Sequence, residues 1–195
     1  MHGLVNRAIQ CFVRDTYSDA CWRHVARRAG LEQPDFEAML DYDDVVTDRV
    51  IAAISTEFSV PVETILEDIG TYLVSHPNVE ALRRLLRFTG TDFREFLYSL
   101  DDLKARARLA LADLDIPNLE LRDYGPNHFN LICHHHFAGI SYVVMGILRT
   151  MADDYGALVL LENESISADL GLIRIQLVDD AFAEGRQFHL GAHHG

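Results

Sequence analysis

The stretch that decides the fold is residues 118–135, which read NLELRDY (118–124), GPN (125–127) and HFNLICHH (128–135). In both outer segments apolar residues alternate with polar ones, which is the period of a β-strand with one buried face. The segment between them consists of the turn residues glycine, proline and asparagine. The stretch therefore predicts two neighbouring antiparallel strands joined by a short turn.

Alternation in the second strand assigns its side chains to two faces. One face is predicted to carry Phe129, Leu131, Cys133 and His135. His134 and His136 then point the opposite way. Downstream, residues 141–156 (SYVVMGILRTMADDYG) have the helical period, and residues 157–164 and 172–179 return to the strand period.

Upstream of residue 118, apolar residues recur at three- and four-residue spacing, which is the period of amphipathic helices. The predicted helices cover residues 4–13, 19–30, 43–55, 61–74, 78–90 and 92–112. Pro117 then prevents helix from resuming. Helices followed by strands predict an α+β fold, in which an N-terminal helical layer packs on a C-terminal layer with a roughly four-stranded antiparallel sheet and helices.

We predict a single domain over residues 1–180, with its helical part at about 1–112 and its sheet-containing part at about 113–180. Residues 181–195 are predicted to be a C-terminal tail. A chain of 195 residues suits one domain, and 49% hydrophobic residues suffice for a packed core. A further effector domain beyond these residues is left open.

Composition excludes several classes of partner. The formal net charge is −13 and the pI is near 5.0, whereas nucleic acids and anionic membranes are bound through clustered lysine and arginine. No apolar run approaches the roughly 18–20 residues that span a bilayer. The three cysteines contain no C-x-x-C pair and are odd in number, which disfavours a disulfide framework. We therefore expect a cytoplasmic protein without nucleic acid or membrane partners.

Gly70 lies inside a predicted helix, where glycine costs roughly 1 kcal/mol relative to alanine. A glycine in such a position usually marks the close approach of another group. We therefore expect another group to pack directly on the helix at Gly70, which is a candidate cofactor-binding residue.

Several short motifs occur in a fixed order along the chain. They are MHGLVNRAI (1–9), EDIGTY (67–72), FREFLYSLDDL (93–103), Pro117 and FAGISYVVMGIL (137–148). Together they resemble the heme nitric oxide/oxygen binding family (H-NOX, or HNOB), from residue 1 to about residue 179. The resemblance implies a nitric oxide sensor that holds heme between its two layers. It also implies that the layers shift when gas binds and that a partner kinase or cyclase responds.

The resemblance implies an iron-ligating histidine after the L-D-x-L motif, and this chain has Lys104 there. The family's proline follows that histidine by thirteen residues, and Pro117 follows Lys104 by the same interval. A protonated lysine has no lone pair for iron, so family-type ligation is not expected. Two alternatives stay open: a solvated Lys104 paired with Asp101, and a Lys104 that points into a repurposed cavity.

The family also has a Tyr-x-Ser-x-Arg motif that binds the heme propionates, and the register puts Cys133, His135 and Phe137 at those positions. Phenylalanine in place of arginine removes a bidentate anion-binding group. Heme, the cofactor that the resemblance implies, is therefore expected to bind atypically, weakly or not at all. His135 is the candidate substitute iron ligand.

The remaining candidate pocket residues also come from the resemblance. Tyr142 takes the place of a distal tyrosine that binds oxygen, and Leu4 and Val5 line the distal side. The preferred interpretation of Tyr142 is nevertheless a core position on an amphipathic helix. The histidine run at residues 134–136 is a weak zinc signal, because consecutive strand residues cannot converge on one metal.

The main hypothesis is a sensory domain that binds a ligand between its layers, namely heme with atypical ligation, and regulates a signalling partner. That partner would be a histidine kinase or a cyclic nucleotide or dinucleotide enzyme. The alternative is a heme-free protein-interaction domain with a repurposed or filled cavity. A metal-dependent enzyme is a distant third, because the chain has no motif of a hydrolase, metalloprotease or phosphate-binding loop. The patterns favour no particular oligomeric state.

Overall fold

The computed structural model describes residues 1–88, 90–110, 116–167 and 169–186. The helices are α1 Gly3–Thr16, α2 Asp19–Arg28, α3 Asp44–Phe58, α4 Val62–Ser75, α5 Glu80–Arg87, α6 Phe93–Tyr98, α7 Leu103–Ala110 and α8 Ile140–Tyr155. The strands are β1 Asn118–Asp123, β2 His128–His134, β3 Leu158–Ser167 and β4 Leu170–Asp179. A 3₁₀ turn, Pro77–Val79, precedes α5.

The strands of the described chain form an antiparallel sheet in the order β1-β2-β4-β3. Leu121 of β1 pairs with Leu131 of β2, which also pairs with Ile173 of β4. The inward face of β2 carries Phe129, Leu131 and Cys133, none of them more than 1% exposed. The α+β class and the two strands predicted around residue 125 are confirmed.

Hydrophobic side chains of the described residues form two cores. The N-terminal lobe consists of α1–α4, and its core contains Trp22 and Ile54. The C-terminal lobe consists of the sheet, α5, α6 and much of α8, and its core contains Phe96 and Ile173. Three half-buried residues of α8 pack against both cores: Ile140, Tyr142 and Ile147. The helix α8 therefore carries the contact between the lobes.

The single long helix predicted over residues 92–112 is wrong, because the structure breaks it into α6 and α7. At the break, the Ser99 hydroxyl donates to the carbonyl of Phe96 at 2.7 Å. The turn is also tied to the edge of the sheet, since Asp101 Oδ1 accepts the N–H of Leu121 at 2.6 Å. A carboxylate bonded to an edge-strand amide stabilises the turn, and the apolar period of the sequence does not reveal such a tertiary bond.

A buried ion pair ties α5 to the end of α8. Asp154 is 1% exposed and accepts two bonds from Arg83, from Nε at 2.6 Å and from Nη2 at 3.0 Å. The N–H of Arg186 donates to the carbonyl of Asp154 at 2.9 Å. The first residues after β4 therefore pack on α8, while residues 187–195 of the predicted tail lie outside the described part of the chain.

A hydrogen-bonded group joins α1 to α4 in the N-terminal lobe. The hydroxyl of Tyr72 donates to Asp15 Oδ2 at 2.6 Å, and Asn78 Nδ2 donates to the same oxygen at 3.0 Å. The bond from Tyr72 is the largest of the contacts that hold the pKa of Asp15 below its usual value. Burial, together with this bond, raises the pKa of Tyr72 far above its ordinary value.

Tyr72→Phe is expected to raise the pKa of Asp15 and to cost about 1 kcal/mol of stability near neutral pH. Because the folded-state pKa of Asp15 is depressed, its charged form stabilises the fold above the unfolded-state pKa of about 3.9, and this contribution is lost as pH falls through the lower folded-state value. The stability gap between wild type and Tyr72→Phe should therefore shrink only in acid. Urea denaturation over a pH series measures the gap, and a gap independent of pH would contradict this role of Tyr72.

Candidate functional site

Two helix backbones make direct contact at the junction of the lobes. At Gly70 of α4, a Cβ would collide with the carbonyl of Val143 on α8. At Gly146 of α8, a Cβ would collide with the carbonyl of Glu67 on α4. The two glycines therefore allow α4 and α8 to approach to backbone contact. The group that packs on Gly70 is another helix.

The residues assigned to the distal side of a pocket lie near this junction. Tyr142 is half-buried on α8 and packs against both cores. Val5 of α1 packs against the N-terminal core, and Leu4 is half-buried beside it. These placements suit core packing as well as they suit the wall of a pocket.

Cys133 lies fully buried in the C-terminal core, where it points inward from β2. In the sheet it pairs with Leu119 of β1 and Gly171 of β4. Burial raises the pKa of its thiol to about 12, so the neutral thiol is the form present near pH 7. A neutral sulfur among apolar side chains is suited to packing and not to binding a carboxylate.

The histidine run begins where β2 ends, at His134. The rings of His135 and His136 stack with centroids 4.4 Å apart, so the prediction that they point opposite ways is wrong because the strand stops before them. His135 Nδ1 accepts the N–H of Phe137 at 3.0 Å. The neutral ring then carries its proton on Nε2, and in this arrangement neither nitrogen offers a lone pair to iron.

The residues that follow His135 lie against the N-terminal lobe. Phe137 is 9% exposed and belongs to the N-terminal core. His136 Nε2 is 3.7 Å from Asp44 Oδ2, and Asp44 also accepts a bond from the amine of Met1 at 2.8 Å. That bond, with weaker attraction from His136 and His135, lowers the pKa of Asp44. The histidine run therefore contacts the start of α3.

The helix α7 turns one side toward the sheet. Leu103 packs against the C-terminal core, and Arg106 lies one turn further along the same side. Arg106 Nη2 donates to the carbonyl of Ser99 at 2.8 Å. Lys104 is half-buried at a neighbouring position of the helix, and Pro117 is half-buried directly before β1.

A shallow cleft lies between the first turn of α8 and the β3–β4 turn. Its volume of about 180 Å³ includes space that is open to solvent, so the cleft is too small to enclose a drug-sized ligand. It is lined by Phe137, Gly139, Ile140, Ser141, Ser167, Asp169, Leu170 and Gly171. Of the pocket residues predicted from the sequence, the cleft includes Phe137.

Within residues 1–88, 90–110, 116–167 and 169–186, no three or more His, Cys, Asp or Glu residues are grouped so as to hold a metal ion. The zinc site considered for the histidine run therefore gains no support. No described helix combines the length and the apolar character needed to cross a membrane.

The chain matches the Haem-NO-binding family, HNOB, over residues 2–162. It belongs to the HNOB family. Among curated relatives, it is similar to soluble guanylate cyclase gcy-31 of Caenorhabditis elegans, at 22% identity over 173 residues, 88% of this chain and 25% of the relative. Soluble guanylate cyclase 89Db of Drosophila melanogaster is 20% identical over 155 residues, 80% of this chain and 23% of the relative. This HNOB chain therefore spans about a quarter of the length of these relatives.

Solved H-NOX proteins share the fold of this HNOB domain. The Fe(II) unliganded H-NOX protein from K. algicida has a TM-score of 0.80 at 15% identity, covering 94% of this chain and 100% of that chain. The H-NOX protein from S. oneidensis in the Fe(II)NO state has a TM-score of 0.75 at 13% identity, covering 92% and 100%. The family resemblance inferred from the short motifs is confirmed.

HNOB proteins bind heme as a family, yet the residues that the resemblance places at the cofactor positions do not have the family's chemistry. Lys104 stands where the resemblance places the iron-ligating histidine. At the propionate positions, Cys133 is buried in one apolar core and Phe137 in the other. His135 uses its Nδ1 lone pair on a backbone N–H. In the register that the resemblance implies, the iron-ligand position therefore holds a lysine and the anion-clamp position holds a phenylalanine.

Two residues of this HNOB domain were missed by the sequence patterns. Gly146 lies inside a predicted helix just as Gly70 does, so the same reasoning could have found it. Arg106 lies in the run LKARARL, where an arginine is ordinarily solvated. Its burial depends on how α7 sits on β1, which no sequence period specifies.

Proposed function

We propose that this HNOB domain is a regulatory module of a signalling protein and that it works without heme held in the family's manner. The packing of Cys133 and Phe137 carries the proposal. Both stand at positions that the resemblance assigns to propionate binding, and both are core side chains. A carboxylate brought to either place would lose its water without gaining a donor. The geometry therefore favours the heme-free alternative.

The relatives support a signalling partner. Those reported above are named soluble guanylate cyclases and are about four times as long as the matched region. A domain that fills a quarter of such a protein is a natural control element for the remainder. We propose a histidine kinase or a cyclic nucleotide or dinucleotide enzyme as the regulated partner, either in the same longer chain or in a separate protein.

The contact between the lobes offers a route for the control. Ile140, Tyr142 and Ile147 of α8 pack against both cores, and α8 touches α4 through backbone atoms at Gly70 and Gly146. A packed contact of this kind has few intermediate arrangements. A ligand or partner that prefers one angle between the lobes would therefore shift α8 as a unit and change the surface presented to the regulated enzyme.

A second candidate retains heme with His135 as the iron ligand. Its support is the position of this imidazole at the end of β2, beside the N-terminal lobe. It requires His135 to give up the bond from the Phe137 N–H or to lose the proton on Nε2. His135 is therefore not a preformed iron ligand, because either change costs free energy.

Hemin titration followed at the Soret band separates the two candidates. Neither the wild-type chain nor Lys104→His is expected to give a saturable band at one equivalent of hemin, because the side chains that fill both cores remain. His135→Ala is the matched variant. A saturable one-to-one band in the wild type would contradict the proposal, and its loss in His135→Ala would establish the second candidate.

A further inference from the structure

Two half-buried arginines, Arg83 on α5 and Arg106 on α7, differ in how their guanidinium groups are satisfied. Arg83 donates two bonds to the buried carboxylate of Asp154, at 2.6 and 3.0 Å. Arg106 donates from Nη2 to the Ser99 carbonyl at 2.8 Å. Its Nε and Nη1 atoms are buried and have no hydrogen-bond partner. Most of the N–H groups of Arg106 are therefore cut off from both water and acceptors.

The charge of Arg106 is costly where it lies. A guanidinium does not lose its proton near neutral pH, so it cannot escape burial by becoming neutral. Burial lowers the pKa of Arg106, and attraction from Asp102, one turn earlier, opposes this. Asp102 is exposed, so its charge is well screened by water. The fold thus keeps a poorly compensated cation on the inner side of α7.

A purely structural role does not account for this arrangement. Removing one partner of a buried pair is costly, but replacing an unpaired buried charge by an apolar side chain of similar length removes a desolvation penalty. The bond to the Ser99 carbonyl uses a small part of the donor capacity of the guanidinium. Methionine would fill the same space without the charge, so packing alone does not explain why residue 106 is an arginine.

We propose that Arg106 is the binding group for an oxyanion, a carboxylate or phosphate borne by a small molecule. Guanidinium is weakly hydrated and matches both anions in geometry. A small ligand is favoured because Nε and Nη1 of Arg106 are buried. This inference rests on the proposed function, since it names the ligand class that a heme-free domain would sense.

Binding at Arg106 would also affect the contacts that hold α7 against the sheet. The turn before α7 is attached to the sheet by the bond from the Leu121 N–H to Asp101, and Leu103 packs on the C-terminal core. Because Nε and Nη1 are buried, an anion that bonds to them has to displace part of the packing around Arg106. Occupancy would therefore select a second position of α7, which links ligand binding to a change in the domain.

Thermal unfolding of three proteins tests the inference: wild type, Arg106→Met and the matched control Arg83→Met. In chloride buffer, Arg106→Met is expected to raise Tm by several degrees. Arg83→Met is expected to lower it, because the buried carboxylate of Asp154 then keeps only the exposed guanidinium of Arg186, 3.8 Å away, as a counter-charge. At constant ionic strength, inorganic phosphate or acetate should raise the Tm of wild type and Arg83→Met saturably and leave Arg106→Met unchanged. The anion that acts identifies phosphate or carboxylate as the ligand group.

Three results would overturn the inference. They are a lower Tm for Arg106→Met in chloride, an anion response that survives in Arg106→Met, and a wild type that responds to neither anion. Arg106→Lys gives an independent check, because it keeps the charge but loses the planar donor array, and it should weaken the anion response at least about tenfold. Hemin binding is a separate readout, so failure here leaves the proposed function standing.

Discussion

Gly146→Ala is expected to lower the free energy of unfolding by about 3 kcal/mol, although alanine ordinarily stabilises a helix relative to glycine by about 1 kcal/mol. The added Cβ would meet the carbonyl of Glu67 and the N–H of Thr71, which are backbone atoms of α4. Backbone atoms cannot rotate away as the end of a long side chain can. The two helices would have to separate, and the junction of the lobes would lose its packing.

Urea denaturation measures this effect against a control for helix propensity. Ala52 lies on the exposed side of α3, so Ala52→Gly should cost about 1 kcal/mol. Gly70→Ala should resemble Gly146→Ala, and the double variant should cost less than the sum because one separation relieves both collisions. A Gly146→Ala protein as stable as wild type, or more stable, would show that α4 and α8 are not in backbone contact.

Asp154→Asn is expected to cost about 3–5 kcal/mol. The carboxylate is 1% exposed and accepts two bonds from Arg83. Its replacement by an amide leaves a buried guanidinium without a counter-charge, and the amide nitrogen presents a donor to a donor. The segment after β4, which is held by the carbonyl of Asp154, should become easier to cleave by protease in the same variant.

A double variant isolates the charge from the packing. Arg83→Met combined with Asp154→Asn should recover much of the lost stability, because no buried charge then remains at this place. The exposed pair of Glu164 and Arg174, each side chain about half exposed, is the matched control, and Glu164→Gln should change stability by less than about 0.5 kcal/mol. Equal costs for Asp154→Asn and Glu164→Gln would contradict a buried ion pair.

The sequence predicts an element of the fold correctly wherever one face of that element is buried along its whole length. Period-two alternation around residue 125 predicts β1 and β2 because Leu121 and Leu131 both face the core. The break between α6 and α7 could not be predicted from the sequence, because it depends on the bond between Asp101 and the edge of the sheet. Local apolar spacing is the same for one long helix and for two helices joined by a tight turn.

The side-chain directions of the candidate site could be predicted from the sequence within β2 but not after its end. The inward face of β2 fixed the burial of Cys133, whereas the same alternation, carried past the end of β2, misplaced His135 and His136 relative to each other. Lys104 was predictable as a candidate because the resemblance assigns its position to the iron-ligating histidine. Arg106, two residues later, has the buried guanidinium, and its burial follows from the packing of α7, which sequence spacing alone does not define.

The family and the site chemistry are separate conclusions about this chain. Membership of HNOB follows from the match over residues 2–162, and the fold agrees with solved H-NOX proteins. In the register that the resemblance implies, the side chains at the cofactor positions differ from the family's at Lys104, Cys133, His135 and Phe137. Two proteins that share a fold do not share a chemical function when the residues that perform that function are replaced in one of them.

Whether this domain holds heme is decided most directly by the heme content of the chain when it is produced with excess heme precursor and purified without reconstitution. We predict far less than one heme per chain, and no iron–nitrosyl absorption when the reduced protein is exposed to nitric oxide. One heme per chain, with a ferrous nitrosyl spectrum, would contradict the filled cofactor positions described for Cys133 and Phe137.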